Sequence, residues 1–170
     1  MSHPRDITAE TVDVFAVANL RVYGRGTPGA CIGILQPKVL VDRAVQMEPG
    51  FEALMYHEGT HAYERHRFAG LLMIALGLLS FALAVTLNYL PLFAVTVVSA
   101  AAWVRWCRRM ETRADAVALY GAGFKEFYSF TRMVGVPSTR WGRFCYGKDY
   151  GERTSRATRE CRRRGWNVRA

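Results

Sequence analysis

Residues 68–104 contain no Asp, Glu, Lys, Arg or His, an uncharged run of 37 residues in a chain of 170. One membrane-crossing helix needs roughly 20 apolar residues, so this run has room for two short ones and is too long for an ordinary core helix. Near its middle, "NYLP" at residues 88–91 supplies a turn and a helix start. The run therefore reads as two helices, 68–87 and 91–106, folded into a hairpin. At about 1.5 Å per residue the second arm reaches roughly 24 Å, short of the ~30 Å hydrocarbon layer. Local thinning or a shallow, re-entrant hairpin would reconcile the two. Arg65 and Arg67 precede the run, Arg105, Arg108 and Arg109 follow it, and the loop between the arms is uncharged. The positive-inside rule then makes this an integral membrane protein with both termini in the cytoplasm, and Tyr89, Trp103 and Trp106 suit interfacial aromatic belts. The alternative is a helical hairpin buried inside a soluble protein.

The length suits one domain with a modest core. Residues 1–10 are polar and do not resemble a signal peptide. Cys31, Cys107, Cys145 and Cys161 form no CxxC pair, which favours free thiols over a cysteine-based metal site. The net charge of +9 is unevenly placed: residues 1–67 hold seven Lys/Arg and eight Asp/Glu, and residues 105–170 hold sixteen and six. The C-terminal "RATRECRRRGWNVRA" could serve nucleic acid, but beside a membrane hairpin an anionic lipid surface is the nearer partner.

Immediately before the uncharged run stands "HEGTH". On a helix His57 and His61 leave from one face and can share one metal ion. Glu58 projects beside that ion, where it could take a proton from bound water and pass it to a leaving amine. Zinc accepts such ligands tetrahedrally and, in a catalytic site, keeps one position for a water whose pKa falls to about 7. A chance trio on a solvated helix face is the alternative. Immediately after the run comes "METRADAVALYG", in which Glu111 and Asp115 share a face four residues apart. Glu111 can supply the third protein ligand, and Asp115 can accept the other N–H of a ligating imidazole. Otherwise both would sit on a solvated face, paired with Arg108 and Arg113. The hairpin brings the two motifs together, although arms of unequal length require a tilt or kink. A metzincin site would need Gly at 64 and His at 67, where this chain has Glu64 and Arg67. His66 is out of helical phase with the pair and reads as a surface or interfacial residue. Cys107, one turn before Glu111, reads as a small side chain at a helix interface, the alternative being a fourth metal ligand.

The order HExxH, two apolar helices, then ExxAD resembles the membrane-integrated zinc endopeptidases that include bacterial HtpX and the eukaryotic CAAX prenyl endopeptidase. The resemblance covers residues 30–159 and is carried mainly by "HEGTH" and "ETRAD". It implies His57, His61 and Glu111 as zinc ligands, Glu58 as general base and Asp115 as support for an imidazole. "ACIGILQPKVLVD" is similar to that family's β-hairpin and substrate-binding edge strand. "YGERTSRATR" is similar to a segment whose arginine contacts substrate or transition state, here Arg153. The chain departs in having Gly59 for an aliphatic residue, no His-Pro pair before Arg153, and no span ahead of HExxH, which makes it a reduced version.

"VDVFAVANLRVYG" and "CIGILQPKVLVD" read as strands of a small sheet whose free edge could pair with an extended peptide. "MEPGFEAL" starts the HExxH helix, with Pro49 in its first turn and Phe51, Leu54 and Met55 as its apolar face. The expected fold is α+β and mainly helical: a gluzincin-like catalytic unit with a small N-terminal sheet and a membrane hairpin between the HExxH and ExxAD helices. One domain would comprise a β-rich part (1–47), the HExxH helix (49–67), the hairpin (68–104), the ExxAD helix (105–123) and a basic helical part (124–170). The expected function is a membrane-bound zinc endopeptidase with its site on the cytoplasmic side. Its partners would be a protein or peptide substrate and the lipid membrane, not nucleic acid. The alternative is a non-catalytic, metal-binding regulatory membrane protein on the same fold.

Overall fold

The computed structural model describes residues 13–22 and 25–168; the polar stretch at residues 1–10 lies outside them. Five short strands come first: β1 (Val14–Val17), β2 (Arg21–Val22), β3 (Arg25–Gly26), β4 (Gly29–Ile32) and β5 (Lys38–Asp42). The main sheet has the order β1-β5-β4, parallel between β1 and β5 and antiparallel between β5 and β4. β2 and β3 form a separate two-stranded ribbon. Alternation in "KVLVD" buries Val39 and Val41 on the face that packs against the helices. β4 is an edge strand. This is the hairpin that the sequence suggests, in a mainly helical α+β fold.

Six helices follow: α1 (Phe51–Tyr63), α2 (His66–Thr86), α3 (Leu90–Ala122), α4 (Phe124–Val134), α5 (Arg140–Tyr146) and α6 (Tyr150–Arg163). The HExxH helix is shorter than the expected 49–67. It starts after Gly50, whose φ of 95° is in the left-handed region, and Pro49 lies ahead of it. The chain breaks at Glu64 and Arg65, with Arg65 left-handed at φ 49° and ψ 41°, and a new helix begins at His66. This is the kink that unequal arms require. α2 and α3 are joined through Leu87 to Tyr89, with Asn88 left-handed at φ 47°, a conformation that asparagine tolerates better than most residues.

The second arm and the ExxAD helix are one uninterrupted rod of 33 residues, where two elements meeting near Arg105 were expected. No glycine or proline stands between Pro91 and Gly121 to interrupt it. Its two halves have different surroundings. The C-terminal half is buried from Ala114 to Leu119 against α1 and α6, whereas Val95, Val97 and Val98 in the N-terminal half are 50–68% exposed. α2 is likewise open along Leu71, Leu72, Leu76, Leu78 and Leu79. The α2–α3 pair is held by Phe81 edge-on to Phe93 at 6.2 Å, by Ser80 and Thr96 hydroxyls 3.3 Å apart, and by Gly70 closing on Trp106. Both helices are long and apolar enough to cross a membrane. The hairpin is not buried within the described structure: on α2 only His66, Gly70 and Ala84 are buried, and none of the most apolar stretch of α3 is.

The basic C-terminal segment is a folded helix and not a free tail. α6 buries Arg153, Ala157 and Cys161, spaced four apart, against α3, and the Cys161 thiol donates to the Ala116 carbonyl at 3.3 Å. Arg156 is bound by Glu152 and by the carbonyls of Phe144 and Cys145. The main core gathers Val39, Val41, Leu54, Leu119, Phe127 and Phe130 between sheet and helices. All four cysteines are free.

Gly50 provides a test of this packing. A Cβ there would lie 2.3 Å from the Phe130 amide nitrogen, on a backbone that L-residues resist. Gly50→Ala is expected to cost at least about 2 kcal/mol and lower the melting midpoint by several degrees. Gly77→Ala, with open space around the new methyl, should leave the midpoint unchanged or raise it.

Candidate metal centre

Three side chains from two elements converge where α1 crosses α3. His57 and His61, one helical turn apart on α1, present their Nε2 atoms 3.3 Å from each other. From α3, Glu111 Oε2 lies 3.5 Å from His57 Nε2 and 3.4 Å from His61 Nε2. The three atoms form a nearly equilateral triangle. Tetrahedral ligands bound at about 2.0–2.1 Å stand about 3.3–3.4 Å apart, so one small divalent cation fits this set. Glu111 Oε2 is buried and makes no hydrogen bond, a costly state for a carboxylate oxygen that a cation would relieve. His57, His61 and Glu111 could thus hold a metal ion.

Each imidazole is backed by its own chain of polar groups. Behind His57, Nδ1 lies 3.0 Å from Asp115 Oδ1. Asp115 is gripped in two-pronged fashion by Arg153, through Nε at 2.8 Å and Nη2 at 2.7 Å, with both residues buried. Behind His61, Nδ1 lies 2.8 Å from His66 Nδ1, and His66 Nε2 lies 2.9 Å from Glu64 Oε2. Glu64 Oε1 accepts from Arg113 Nε at 3.1 Å. If both ligand nitrogens are Nε2, the protons are assigned throughout: His57 Nδ1–H faces Asp115, His61 Nδ1–H donates to His66, and His66 Nε2–H donates to Glu64. Both chains end on a guanidinium.

The site is short of positive charge. Glu58, Glu64, Glu111 and Asp115 against Arg67, Arg113 and Arg153 leave one formal negative charge if the imidazoles are neutral, which a bound cation would offset. Burial alone would lower the His57 pKa, but the Asp115 and Glu111 carboxylates outweigh it and raise it to about 9. Without a metal, the carboxylates hold a proton on this ring instead.

Glu58 lines the same cleft, of about 700 Å³, and its Oε2 accepts the Cys31 N–H of β4 at 2.7 Å. Gly29 and Cys31 direct their backbone groups away from β5, so the free edge of the sheet faces the cleft. Leu71, Ile74 and Trp103 continue the wall along the apolar hairpin. Tyr146, which nothing in the sequence singles out, faces in from the end of α5 with the Arg153 guanidinium 5.2 Å from its ring. The Glu111 carboxylate and burial hold its phenol well above the usual tyrosine range, as a neutral donor.

Glu111 and Asp115 are not on a solvated face with Arg108 and Arg113, since Arg113 pairs with Glu64. His66 is buried and touches a ligand imidazole, not a surface residue as its phase suggests. The phase assumed one continuous helix, and the break at Glu64 and Arg65 turns His66 back toward His61. Cys107 lines the cleft but is not among the grouped ligands. Arg153 is committed to Asp115, although it also lines the cleft and its Nη1 is buried without a partner. Compared with family models, with curated proteins and with solved structures, the chain matches none.

Competition with a chelator tests the two backing chains. Asp115→Asn and His66→Ala should each weaken metal binding about 10–100-fold. Glu111→Ala should remove stoichiometric metal altogether. A His66→Ala protein with undiminished affinity would return that residue to a purely structural role.

Proposed function

We propose that this chain is a membrane-bound, zinc-dependent endopeptidase, a reduced relative in kind of the membrane-integrated HExxH/ExxAD enzymes that its motifs resemble, built on a gluzincin-like unit. The observation that carries the reading is that a metal-sized triangle of ligands, the Glu58 carboxylate beside it and the edge of β4 face one cleft. A zinc ion held by His57, His61 and Glu111 would polarise a peptide carbonyl and make water nucleophilic near neutral pH.

The rest falls to the protein. An extended peptide adds to the outer edge of β4, where the Gly29 N–H and the Cys31 carbonyl are turned outward and the Cys31 N–H becomes available once Glu58 releases it, and is thereby aligned across the cleft. Glu58 takes a proton from the attacking water as its oxygen bonds to the carbonyl carbon. It returns that proton to the amine as the C–N bond breaks. The Tyr146 hydroxyl, and the spare Nη1 of Arg153, provide neutral and positive donors for the carbonyl oxygen as it gains charge. Leu71, Ile74 and Trp103 keep bulk water from one side. Lipid would cover the exposed faces of α2 and α3, and the positive-inside rule applied to Arg65, Arg67, Arg105, Arg108 and Arg109 supports a site on the cytoplasmic side.

One observation favours the second reading, a non-catalytic metal-binding regulator. The Cys31 N–H already occupies Glu58 Oε2, and a base held this way by the strand edge must be released before it can act.

Detergent-purified Glu58→Gln separates the two readings. For an enzyme it keeps its metal and loses cleavage of an unfolded protein substrate by at least about 100-fold. Undiminished cleavage by Glu58→Gln eliminates the mechanism, and equal activity of wild type and variant in cells supports the regulator.

A further inference from the structure

A second concavity, of about 1190 Å³, lies beside the metal cleft and is divided from it by Trp106, Met110 and His66, which line both. It differs from the cleft in character along the α3 axis. Toward the hairpin its floor is Val98, Ala101 and Ala102, small apolar residues inside the uncharged run. Toward the core it is walled by Arg105, Arg108, Arg109 and Arg113 of α3, with Arg163 and Arg164 arriving from α6. The carboxylates in it are Glu64 and Glu160.

Most of that positive charge is left over. Among the described residues the ion pairs of the groove are Arg113–Glu64 at 3.1 Å, Arg163–Glu160 at 2.8 Å and Arg164–Glu160 at 2.6 Å. Arg105, Arg108 and Arg109 have no carboxylate partner. Arg108 instead lies 5.1 Å from the Phe144 ring. Arg113 is held from behind, 4.7 Å over Trp166, and its Nη1 is buried with no hydrogen-bond partner. A buried, unpaired guanidinium N–H is expensive unless an acceptor is supplied from outside.

We propose that this groove is a binding site for one anionic phospholipid, its phosphodiester headgroup among Arg105, Arg108, Arg109 and Arg113 and an acyl chain along Val98, Ala101 and Ala102. The assignment rests on the membrane reading of the hairpin and adds a specific ligand to it. A nucleic acid or an acidic peptide would match the arginines but leave the apolar floor uncovered. A phospholipid matches both in the order they occur along α3, with the change from apolar to basic falling at Arg105, where the uncharged run ends. Guanidinium donors suit phosphate oxygens through paired N–H groups. The site also borders the catalytic cleft's supporting structure. Arg113, which would meet the headgroup, is the last member of the chain that runs through Glu64 and His66 to His61.

Native mass spectrometry of the full chain, released from mixed micelles of detergent with equal phosphatidylglycerol and phosphatidylcholine, reads the proposal directly. Wild type should retain one phosphatidylglycerol in strong preference to phosphatidylcholine. The triple variant Arg105→Gln, Arg108→Gln, Arg109→Gln should lose that preference by on the order of 100-fold, and the corresponding triple Lys variant should keep most of it. Bound metal, counted in the same spectra, reports that each variant is folded. Inorganic phosphate at millimolar concentration should not displace the lipid; displacement would reduce the site to a simple anion site and overturn the lipid assignment. Equal retention of the two lipids by wild type, or an undiminished preference in the folded Gln variant, overturns it as well. A chain that needs detergent yet shows no preference fails only here, whereas one that purifies without detergent and carries no lipid fails the membrane reading too.

Discussion

The ion pair between Asp115 and Arg153 is the contact on which the centre of this protein depends. It joins α3 to α6 and stands directly behind His57 on α1, so three helices meet in one fully enclosed set of charges. Burying a carboxylate and a guanidinium costs several kcal/mol each, and only well-formed, multiple contacts offset that. Here the pair makes two hydrogen bonds, the carboxylate also meets an imidazole, and the guanidinium lies 4.9 Å from the Phe130 ring and 5.2 Å from that of Tyr146. The same arrangement that stabilises the charges orients the ligand ring. Fold and site are in this sense one structure: removing Arg153 would strand a buried carboxylate and, with it, loosen an imidazole that could hold a metal ion.

The parts of this arrangement that could be read from the sequence are those carried by short, phase-locked spacings. His57 and His61 had only the i, i+4 rule to satisfy, and Glu111 and Asp115 obey the same rule on a helix that stays regular for 33 residues. An uncharged run that long likewise leaves few folds open to it. His66, the pairing of Arg113 with Glu64, and Tyr146 escaped because they depend on where helices break and on how short ones dock. The break at Glu64 and Arg65 involves a left-handed arginine, which no residue preference announces. Tyr146 comes from a seven-residue helix held by a tertiary contact, the Trp141 ring stacked 5.5 Å from Trp103 of α3. The C-terminal part is helical, as expected; its arginines dominate the count, while the spacing of Arg153, Ala157 and Cys161 marks the buried face.

The backing chains behind His57 and His61 are chemically unlike. The first is short and closed, an imidazole against a carboxylate clamped by a guanidinium in the core. The second passes through another imidazole and ends on Arg113, at the wall of an open groove. A ligand ring held by the first is fixed by the fold alone. One held by the second also depends on whatever occupies that groove, which gives the two histidines different sensitivity to the surroundings of the protein.

The continuity of α3 carries a mechanical consequence. Because one rod runs from the exposed apolar half into the packed core with no glycine or proline between Pro91 and Gly121 to hinge it, a tilt of the outer half about Arg105, where the uncharged run ends, would carry into the core. Glu111 lies about 9 Å beyond that point along the axis, so an inclination change of about ten degrees would swing it by roughly 1.5 Å. Metal coordination tolerates displacements of about 0.2 Å. Bilayer thickness, by setting the slant of the hairpin, would then act as a dial on how well the carboxylate reaches its two imidazole partners.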